Sequence, residues 1–264
     1  MDWSKIKFRA SSWGNLMTEP RDKTSKDKGE LSITCQKELI KIYNLEKYGR
    51  KKDIVNKQMT KGILVEPESI SLFGKVEGKE FIKNEEQISN EWFTGHPDIY
   101  IGEDIRKSKE VHDIKSSWEL DTFMPKLIEE VDKGYNFQLQ VYFDLTGAEM
   151  GSVAYCLVNA PDMVIQNEMK SLLFNMNVIS EESPEYRLAA AELLNNMVFD
   201  DIDYRERVIK QIVYRDNELI KKMKDKVPVL RKYLAYIEAL HMKGRDQPQP
   251  PIDISTIPLI KINK

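Results

Sequence analysis

The sequence has few cysteines and no long apolar run, and both absences restrict the class of protein. Two cysteines among 264 residues are too few for a disulfide framework. Cys35 and Cys156 stand among apolar neighbours, so we expect buried free thiols in a reducing cytoplasm. No stretch approaches the roughly 20 apolar residues that span a bilayer, and the first residues lack the apolar core of a signal peptide. The sequence therefore predicts a cytoplasmic protein that does not enter a membrane.

The net charge of −3 hides an uneven distribution along the chain. Residues 1–61 carry 15 Lys and Arg against 8 Asp and Glu, whereas residues 62–180 carry 10 against 21. Residues 181–264 are nearly balanced, with 15 against 14. A basic segment beside an acidic one suits a polyanionic substrate that is handled by carboxylate-bound cations, although ordinary variation in surface charge produces the same pattern.

The apolar pattern of the first two thirds of the chain predicts an α/β core. A strand at about 152–158 is almost free of polar residues, which is typical of a central position in a sheet. The turn Gly102-Glu103-Asp104 joins two shorter strands into a hairpin. Helices are expected over about 31–48, 58–74 (with a bend at Pro67), 127–133 and 135–146, and strands over about 80–82, 99–101, 111–115 and 152–158.

The last third of the chain is predicted to be helical. Ser183 followed by Pro184 is typical of a helix start, and this helix extends to about residue 196. A second helix is expected over about 204–225 and, after an interruption at Pro228, a third to about residue 242. The tail DQPQPPIDISTIP is proline-rich and predicted to be extended. We therefore expect a core over residues 1–180 and a helical C-terminal extension over 181–264 that packs on it.

The stretch GHPDIYIGEDIRKSKEVHDIKSSW places acidic residues and a lysine at strand positions. Residues i and i+2 of a strand point to the same face, so Asp113 and Lys115 converge, and Asp98 reaches the same place across the hairpin. Neighbouring carboxylates repel each other unless a divalent cation lies between them. Mg²⁺ (or Mn²⁺) held by carboxylates, with Lys115 orienting or deprotonating a water, would serve phosphodiester hydrolysis.

An Asp-x-Lys pattern alone is common on charged strands, so its neighbours carry the interpretation. Glu66 follows Gly62 on a predicted helix upstream, and Gln138 and Gln140 lie on a predicted helix downstream. In this combination the sequence resembles the PD-(D/E)XK nuclease superfamily, and within it the lambda-exonuclease-like branch (viral alkaline exonuclease, or YqaJ-type). The segment TKGILVEPESISLF is similar to that branch's Gly-x-x-x-Glu helix, GHPDI to its Ser-Pro-Asp-Gly element, HDIKSSW to its Glu-Leu-Lys-Cys-Pro strand, FQLQVYF to its Gln-Val-Gln helix, and RASSWGNLM to its N-terminal Thr-Ala-Ser segment.

The resemblance covers about residues 9–160 and implies a restriction-endonuclease-like core, in which a central mixed sheet is flanked by helices. It implies that Asp98 and Asp113 are the main metal ligands and that Lys115 is the catalytic lysine. The Ile114 carbonyl and Glu66 would complete the metal coordination, and Gln138 would position the lysine, a metal-bound water or the substrate. The residues expected to bind DNA are Arg9, Ser11, Ser12, Gln140 and Tyr142, with the serines holding a terminal 5′-phosphate.

The sequence departs from the pattern of the branch at three points. Asp113 replaces the usual glutamate of the strand, which the superfamily pattern allows, and His96 replaces the serine before Pro-Asp. The phosphate-binding arginine has no clear counterpart, and Lys5, Lys7 or Arg9 are candidates for its role. The iron–sulfur members of the superfamily are excluded, because they need four cysteines.

The resemblance implies a metal-dependent DNA exonuclease that acts on double-stranded ends, 5′→3′, in phage-type recombination. It also implies a ring-shaped homo-oligomer around DNA and a single-strand annealing protein as a partner. A structure-specific or restriction-like endonuclease is the alternative. A catalytically decayed DNA-binding protein is disfavoured, because Asp98, Asp113 and Lys115 are all present.

Overall fold

The computed structural model describes residues 1–51, 57–177 and 180–243. Along this part of the chain, five helices follow the first strand, four strands come next, and the remaining two strands and five helices are interspersed after them. The strands are β1 (Phe8–Arg9), β2 (Ile88–Ser89), β3 (Phe93–Gly95), β4 (Ile99–Ile101), β5 (Glu110–Ser116), β6 (Met150–Cys156) and β7 (Val208–Tyr214). The helices are α1 (Trp13–Leu16), α2 (Lys23–Asp27), α3 (Ile33–Tyr48), α4 (Lys57–Leu64), α5 (Glu66–Glu77), α6 (Leu120–Phe123), α7 (Lys133–Thr146), α8 (Asp162–Asn175), α9 (Pro184–Asn195) and α10 (Asn217–Lys243).

The main sheet is mixed and has the strand order β4-β5-β6-β7. The β4–β5 and β6–β7 pairs are antiparallel, whereas β5 and β6 are parallel and connected through α6 and α7. A smaller sheet, with the order β1-β3-β2, joins the N-terminal segment to the chain before β4. The predicted central position of the strand near residue 152 is confirmed, since β6 has a neighbour on each side.

Helices cover both faces of the main sheet. On one face α7 packs with α3, α10 and the N-terminal segment around fully buried side chains such as Trp13 and Phe143. On the other face α5 packs through Phe73 against Ile99 and Ile114 of the sheet. The predicted α/β fold, with a central mixed sheet flanked by helices, is confirmed.

Capping residues set the ends of the helices that frame the sheet. The Asp132 carboxylate accepts hydrogen bonds from the Gly134 and Tyr135 N–H groups at the start of α7. Gly147 ends α7 with a φ of 80°, a left-handed conformation that glycine adopts without a steric penalty. The Asp132 N-cap therefore fixes the start of α7, the helix that carries Gln138.

The helix predicted over 204–225 is wrong, because residues 208–214 form the edge strand β7. Side chains four residues apart share a face in a helix and also in a strand. The spacing of Val208 and Ile212 therefore does not distinguish a helix from a strand. Ile209 and Val213 are the buried residues of this strand. The high β-propensity of four Val and Ile residues, together with pairing to β6, favours the strand.

Pro228 does not interrupt the last helix, contrary to the prediction. The helix α10 runs through it, and the proline is exposed. A proline inside a helix costs about 3 kcal/mol. Five buried side chains of α10 offset this cost, because each contributes about 1.5–3 kcal/mol by leaving water. They are Ile220, Met223, Val227, Leu230 and Leu234.

Three other local predictions are wrong. The helix predicted over 58–74 is divided at Val65 into α4 and α5, with Pro67 in the first turn of α5 rather than at a bend. Residues 80–82 do not form a strand, and Ile82 is exposed. Residues 128–132 are not helical, because Asp132 adopts the non-helical backbone of an N-cap.

The C-terminal part of the described chain contains α9, which begins at the predicted Ser183 cap, and α10, a single helix in place of the two that were predicted to end near residues 225 and 242. The division of the chain at residue 180 stays a prediction. The proline-rich tail lies outside the described residues. Of the helices in the described ranges, none combines the length and the apolar composition needed to cross a bilayer.

Gly151 of β6 lies where the neighbouring chain leaves no room for a side chain. A Cβ atom built there would come 2.1 Å from the Val111 carbonyl oxygen. We expect Gly151→Ala to lower the free energy of unfolding by at least about 2 kcal/mol, as overpacking does. Gly62→Ala in α4, where no atom of the described residues outside the local helix backbone lies within 4 Å of the added carbon, should raise it by up to about 1 kcal/mol. Urea unfolding measures both, and equal stabilities of the two variants would contradict this expectation.

Candidate active site

The open end of the β4–β5 hairpin brings the predicted acidic residues opposite each other. Ile99 pairs with His112 in the antiparallel ladder, so Asp98, just before β4, lies opposite Asp113. Asp113 and Lys115 alternate with His112 along β5 and therefore point to the face that α7 covers. The structure thus brings Asp98, Asp113 and Lys115 together, as the strand pattern predicts.

The Asp98 carboxylate is held by the backbone of β5. The Ile114 N–H donates a hydrogen bond to Asp98 Oδ2 at 2.6 Å. Burial, and then the negative charge of Asp113, raise the pKa of the Asp98 carboxyl from 3.8 to about 7, against the attraction of Lys115. A carboxylate in this environment takes up a proton or a cation near neutral pH, which is the behaviour of a metal ligand.

Lys115 forms an ion pair with Asp113 on the same face of β5. Lys115 Nζ lies 2.6 Å from Asp113 Oδ2, and the ammonium also lies 4.9 Å from the centre of the Tyr135 ring. Burial alone would lower the pKa of Lys115, but the carboxylates of Asp113 and Asp98 outweigh it and raise that pKa above its usual value. Lys115 therefore carries a positive charge at neutral pH.

Gln138 connects α7 to the acidic pair. Its Nε2 donates to Asp113 Oδ1 at 2.7 Å and to Tyr142 Oη at 2.8 Å, one helical turn further along α7. Burial, followed by the charges of Asp113 and Asp98, raises the pKa of Tyr142 well above 10, so the phenol stays neutral. Gln138 thus fixes one oxygen of Asp113, and Tyr142 fixes Gln138.

The oxygen atoms at this site suit one hard divalent cation. Asp113 Oδ2 is buried and, apart from its ion pair with Lys115, accepts no hydrogen bond of good geometry. The N–H and C=O of one strand residue point the same way, so the Ile114 carbonyl lies on the same side as its N–H, towards Asp98. Two carboxylates and a carbonyl are ligands that Mg²⁺ or Mn²⁺ prefers. The residues present therefore fit the metal that the sequence resemblance implies.

Glu66 does not join Asp98 and Asp113 as a third ligand in this arrangement. It lies at the start of α5, the helix on the other face of the sheet, and its Oε2 is 2.9 Å from Lys83 Nζ. Within the described ranges, no group of three His, Cys, Asp or Glu side chains is placed to hold a metal ion. The predicted role of Glu66 in coordination remains a prediction, and its present partner is a lysine.

The predicted phosphate-binding residues of the N-terminal segment are divided between surface and interior. Arg9 and Ser11 are exposed on β1 and the turn after it. Ser12 is buried, and its hydroxyl donates to Glu38 Oε1 at 3.0 Å, while Asn15 donates to the other oxygen of Glu38. The hydroxyl of Ser11 is therefore available to a ligand, whereas that of Ser12 is used inside the protein.

Gln140 and Tyr142 are buried and not on the surface where the prediction of DNA contact places them. The Gln140 side chain is 1% exposed, donates to the Tyr214 carbonyl at 2.9 Å, and accepts from the Asp216 N–H at 2.8 Å. Residues two apart on a helix point in nearly opposite directions, so Gln140 faces away from Gln138. Gln140 therefore connects α7 to the end of β7. Tyr142 holds Gln138 in place by accepting a hydrogen bond from its Nε2.

Three residues contribute to the site without having been predicted. Tyr135 lies beside Lys115, and its position three residues before Gln138 on one helix face was a usable signal. Lys61 is almost fully buried and donates to the Ser117 and Trp118 carbonyls, which fixes the chain directly after β5. Burial lowers the pKa of Lys61 to about 8. Lys83 lies in an irregular segment, where no periodic pattern marks it.

The fold of this chain is similar to those of solved exonuclease structures. No family model matches the sequence, and no curated protein matches it. A phage-related exonuclease from Haemophilus somnus 129PT is 26% identical, with a TM-score of 0.65 over 89% of this chain and 96% of that chain. The alkaline exonuclease LHK-Exo from Laribacter hongkongensis is 16% identical, with a TM-score of 0.58 over 91% of this chain and 96% of that chain. Its complex with dAMP has a TM-score of 0.59.

The two structural relatives differ in how similar their sequences are to this chain. Both likenesses extend over nearly the whole of both chains; at 16% identity LHK-Exo shows a shared fold alone, whereas the phage-related exonuclease has a higher identity of 26%. The sequence motifs quoted above fall on the elements that form the site, with Asp98 and Asp113 opposed in the β4–β5 ladder. The fold and the order of the motifs fit the lambda-exonuclease-like branch of the PD-(D/E)XK nuclease superfamily.

Proposed function

We propose that the protein is a metal-dependent deoxyribonuclease, and specifically an exonuclease that degrades double-stranded DNA from its ends in the 5′→3′ direction. The observation that carries the proposal is the convergence of Asp98, Asp113 and Lys115 at the open end of one hairpin. The names of the structural relatives support it, since both are exonucleases. An Asp-Asp-Lys cluster beside the Ile114 carbonyl is suited to hydrolysis of a phosphodiester.

Each residue of the cluster has a separate task in this proposal. A bound Mg²⁺ or Mn²⁺ would supply Lewis-acid stabilisation and a nucleophilic water at neutral pH. Asp98, Asp113 and the Ile114 carbonyl would hold that ion. Lys115 Nζ, 2.6 Å from Asp113 Oδ2, would stabilise the negative charge that develops on the phosphate or orient the attacking water. Gln138 keeps Asp113 in a single orientation.

Preference for DNA ends is the finer part of the proposal. Ser11 and Arg9 are exposed on the segment that packs against α7, the helix that carries Gln138. A serine hydroxyl and an arginine together suit a terminal 5′-phosphate. We also infer a role in phage-type recombination in the cytoplasm, with a single-strand annealing protein as partner and a ring-shaped homo-oligomer that encircles the DNA. These inferences rest on the family resemblance.

The test compares DNA substrates that differ only in their ends. We expect Mg²⁺-dependent release of nucleotides from linear duplex, no cleavage of covalently closed circles, and at least about tenfold slower degradation after removal of the 5′-phosphate, the loss of roughly one charge-assisted contact. Gel electrophoresis and acid-soluble nucleotide release measure the three rates. Ser11→Ala should reduce the preference for the 5′-phosphate, whereas Ser71→Ala, at an exposed serine of α5, serves as the matched control.

Two outcomes would contradict parts of this proposal. Cleavage of closed circles would favour the alternative, a structure-specific or restriction-like endonuclease built on the same catalytic residues. DNA binding without metal-dependent cleavage of any substrate would favour a catalytically decayed DNA-binding protein.

A further inference from the structure

The first turn of α7 is held in place by the backbone of another helix. Asp132 caps this turn by accepting hydrogen bonds from the N–H groups of Gly134 and Tyr135. A Cβ atom built on Gly14 of α1 would lie 2.8 Å from the Gly134 Cα, so the two backbones pack closely together. The position of Tyr135 is therefore fixed both by the cap and by α1.

The ring of Tyr135 lies against two side chains of the main sheet. Its centre is 4.9 Å from Lys115 Nζ on β5 and 6.4 Å from the centre of the Tyr155 ring on β6, with 60° between the two ring planes. Lys115 and Tyr155 are paired residues of the parallel β5–β6 ladder. Tyr155 is buried, so it restricts the Tyr135 ring to the place beside the ammonium group.

One face of α7 holds both members of the ion pair between Asp113 and Lys115. Gln138, one turn after Tyr135, donates to Asp113 Oδ1 at 2.7 Å, while the Tyr135 ring contacts the Lys115 ammonium. Residues three apart on a helix lie on the same face. The carboxylate and the ammonium are therefore each held by the helix, as well as by each other at 2.6 Å.

Metal binding would weaken the ion pair that fixes Lys115. Asp113 Oδ2 is buried and, beyond its ion pair with Lys115, accepts no hydrogen bond of good geometry from the described residues, so it is available to a divalent cation. A cation on that oxygen attracts the carboxylate and repels the ammonium. The face of an aromatic ring attracts an ammonium through its quadrupole, and this attraction does not use the carboxylate oxygen.

We propose that Tyr135 is a positioning residue, whose ring keeps the Lys115 ammonium in place when Asp113 is bound to a metal ion. The inference rests on the proposed metal-dependent function and adds a residue to it. The ring face performs this task, and the phenol hydroxyl has no part in it. Loss of one cation–π contact at a partly buried site corresponds to about a tenfold change in rate.

Substitutions that keep or remove the ring test the proposal. Tyr135→Phe should hydrolyse linear duplex DNA at a turnover rate within about twofold of the wild type, whereas Tyr135→Leu should be about tenfold slower. Both variants should bind Mn²⁺ and DNA as tightly as the wild-type protein, because the ring is assigned a contact with Lys115 alone. Tyr214→Leu, at a tyrosine of β7 that is 67% exposed, is the matched control and should retain full activity.

A double-mutant cycle shows whether Tyr135 acts through Lys115. In a Lys115→Ala background, Tyr135→Leu should cause no further loss of rate, because the group that the ring positions is already absent. Equal losses in the wild-type and Lys115→Ala backgrounds would overturn the proposal, since the ring would then act on the fold or directly on the substrate. A Tyr135→Phe variant as slow as Tyr135→Leu would also overturn it.

Carbon–proton NMR correlation spectra of the full chain test the contact without any cleavage of DNA. The ring current of Tyr135 should shift the Lys115 Cε–H signals upfield, both in the metal-free protein and after addition of Mg²⁺. Tyr135→Phe should keep this shift, and Tyr135→Leu should remove it. Loss of the shift when Mg²⁺ is added to the wild type would overturn the inference and leave the nuclease proposal standing. Absence of cleavage by the wild-type protein would contradict the proposed function and, with it, the inference.

Discussion

Replacement of Lys115 by alanine is expected to slow the metal-dependent hydrolysis of linear duplex DNA by about 10³-fold, the usual loss when one fixed charge-stabilising group is removed. Lys115 Nζ lies 2.6 Å from Asp113 Oδ2 and is charged at neutral pH. Its contribution is greatest when negative charge accumulates on the phosphate, so the turnover rate should fall much more than the affinity for DNA.

Metal binding by the Lys115→Ala variant distinguishes a loss of catalytic rate from misfolding. Removal of a cation beside Asp113 makes the acidic pair more attractive to a divalent ion, so Lys115→Ala should bind Mn²⁺ at least as tightly as the wild-type protein. Lys107→Ala, an exposed lysine between β4 and β5, is the control and should retain full activity. Activity of Lys115→Ala within tenfold of the wild type would contradict the role assigned to this lysine.

Asp98→Asn is expected to abolish metal-dependent cleavage by a different route. The asparagine oxygen can still accept the Ile114 N–H, so the local backbone is preserved, but one of the two negative charges that attract the cation is lost. Loss of an outer-shell partner costs roughly 10- to 100-fold in metal affinity, and loss of a direct ligand should exceed that range. Calorimetric titration with Mn²⁺ measures the affinity, and unchanged binding would exclude Asp98 as a ligand.

The same substitution should alter how the stability of the metal-free protein depends on pH. The pKa of Asp98 is about 7 in the folded protein, above the ordinary 3.8 of an unfolded chain. The folded state therefore binds more protons between these values, and its free energy of unfolding falls as the pH rises from about 4 to about 7. Asp98→Asn removes this contribution, so the variant should lose less stability over that range. Urea unfolding at several pH values in the presence of EDTA measures the difference, and identical pH profiles would count against the raised pKa.

The pairing of the acidic residues could be predicted from the sequence because it depends on local rules. Alternation along a strand places Asp113 and Lys115 on one face, and antiparallel pairing of the two strands joined by residues 102–109 brings Asp98 opposite them. The helix that carries Gln138 was also predictable from its apolar period, with the error confined to its boundary. These features depend on neighbours in the chain or on one hairpin.

Other parts of the site depend on contacts between distant segments, and the sequence alone did not determine them. The strand β7 and a helix share the spacing of Val208 and Ile212, and only pairing with β6 selected the strand. Gln140 carries the same amide as Gln138, yet the carbonyl of Tyr214 and the N–H of Asp216 fix it inside the protein.

The sequence by itself determined that two carboxylates and a lysine, Asp98, Asp113 and Lys115, would meet. The tertiary structure decided where the other candidate lies, because Glu66 starts the helix α5 and its partner Lys83 lies in the irregular segment after that helix. Local periodicity specifies the direction of a side chain within its own element. Contacts between side chains of different elements depend on how those elements pack. At this site packing places Lys83 beside Glu66.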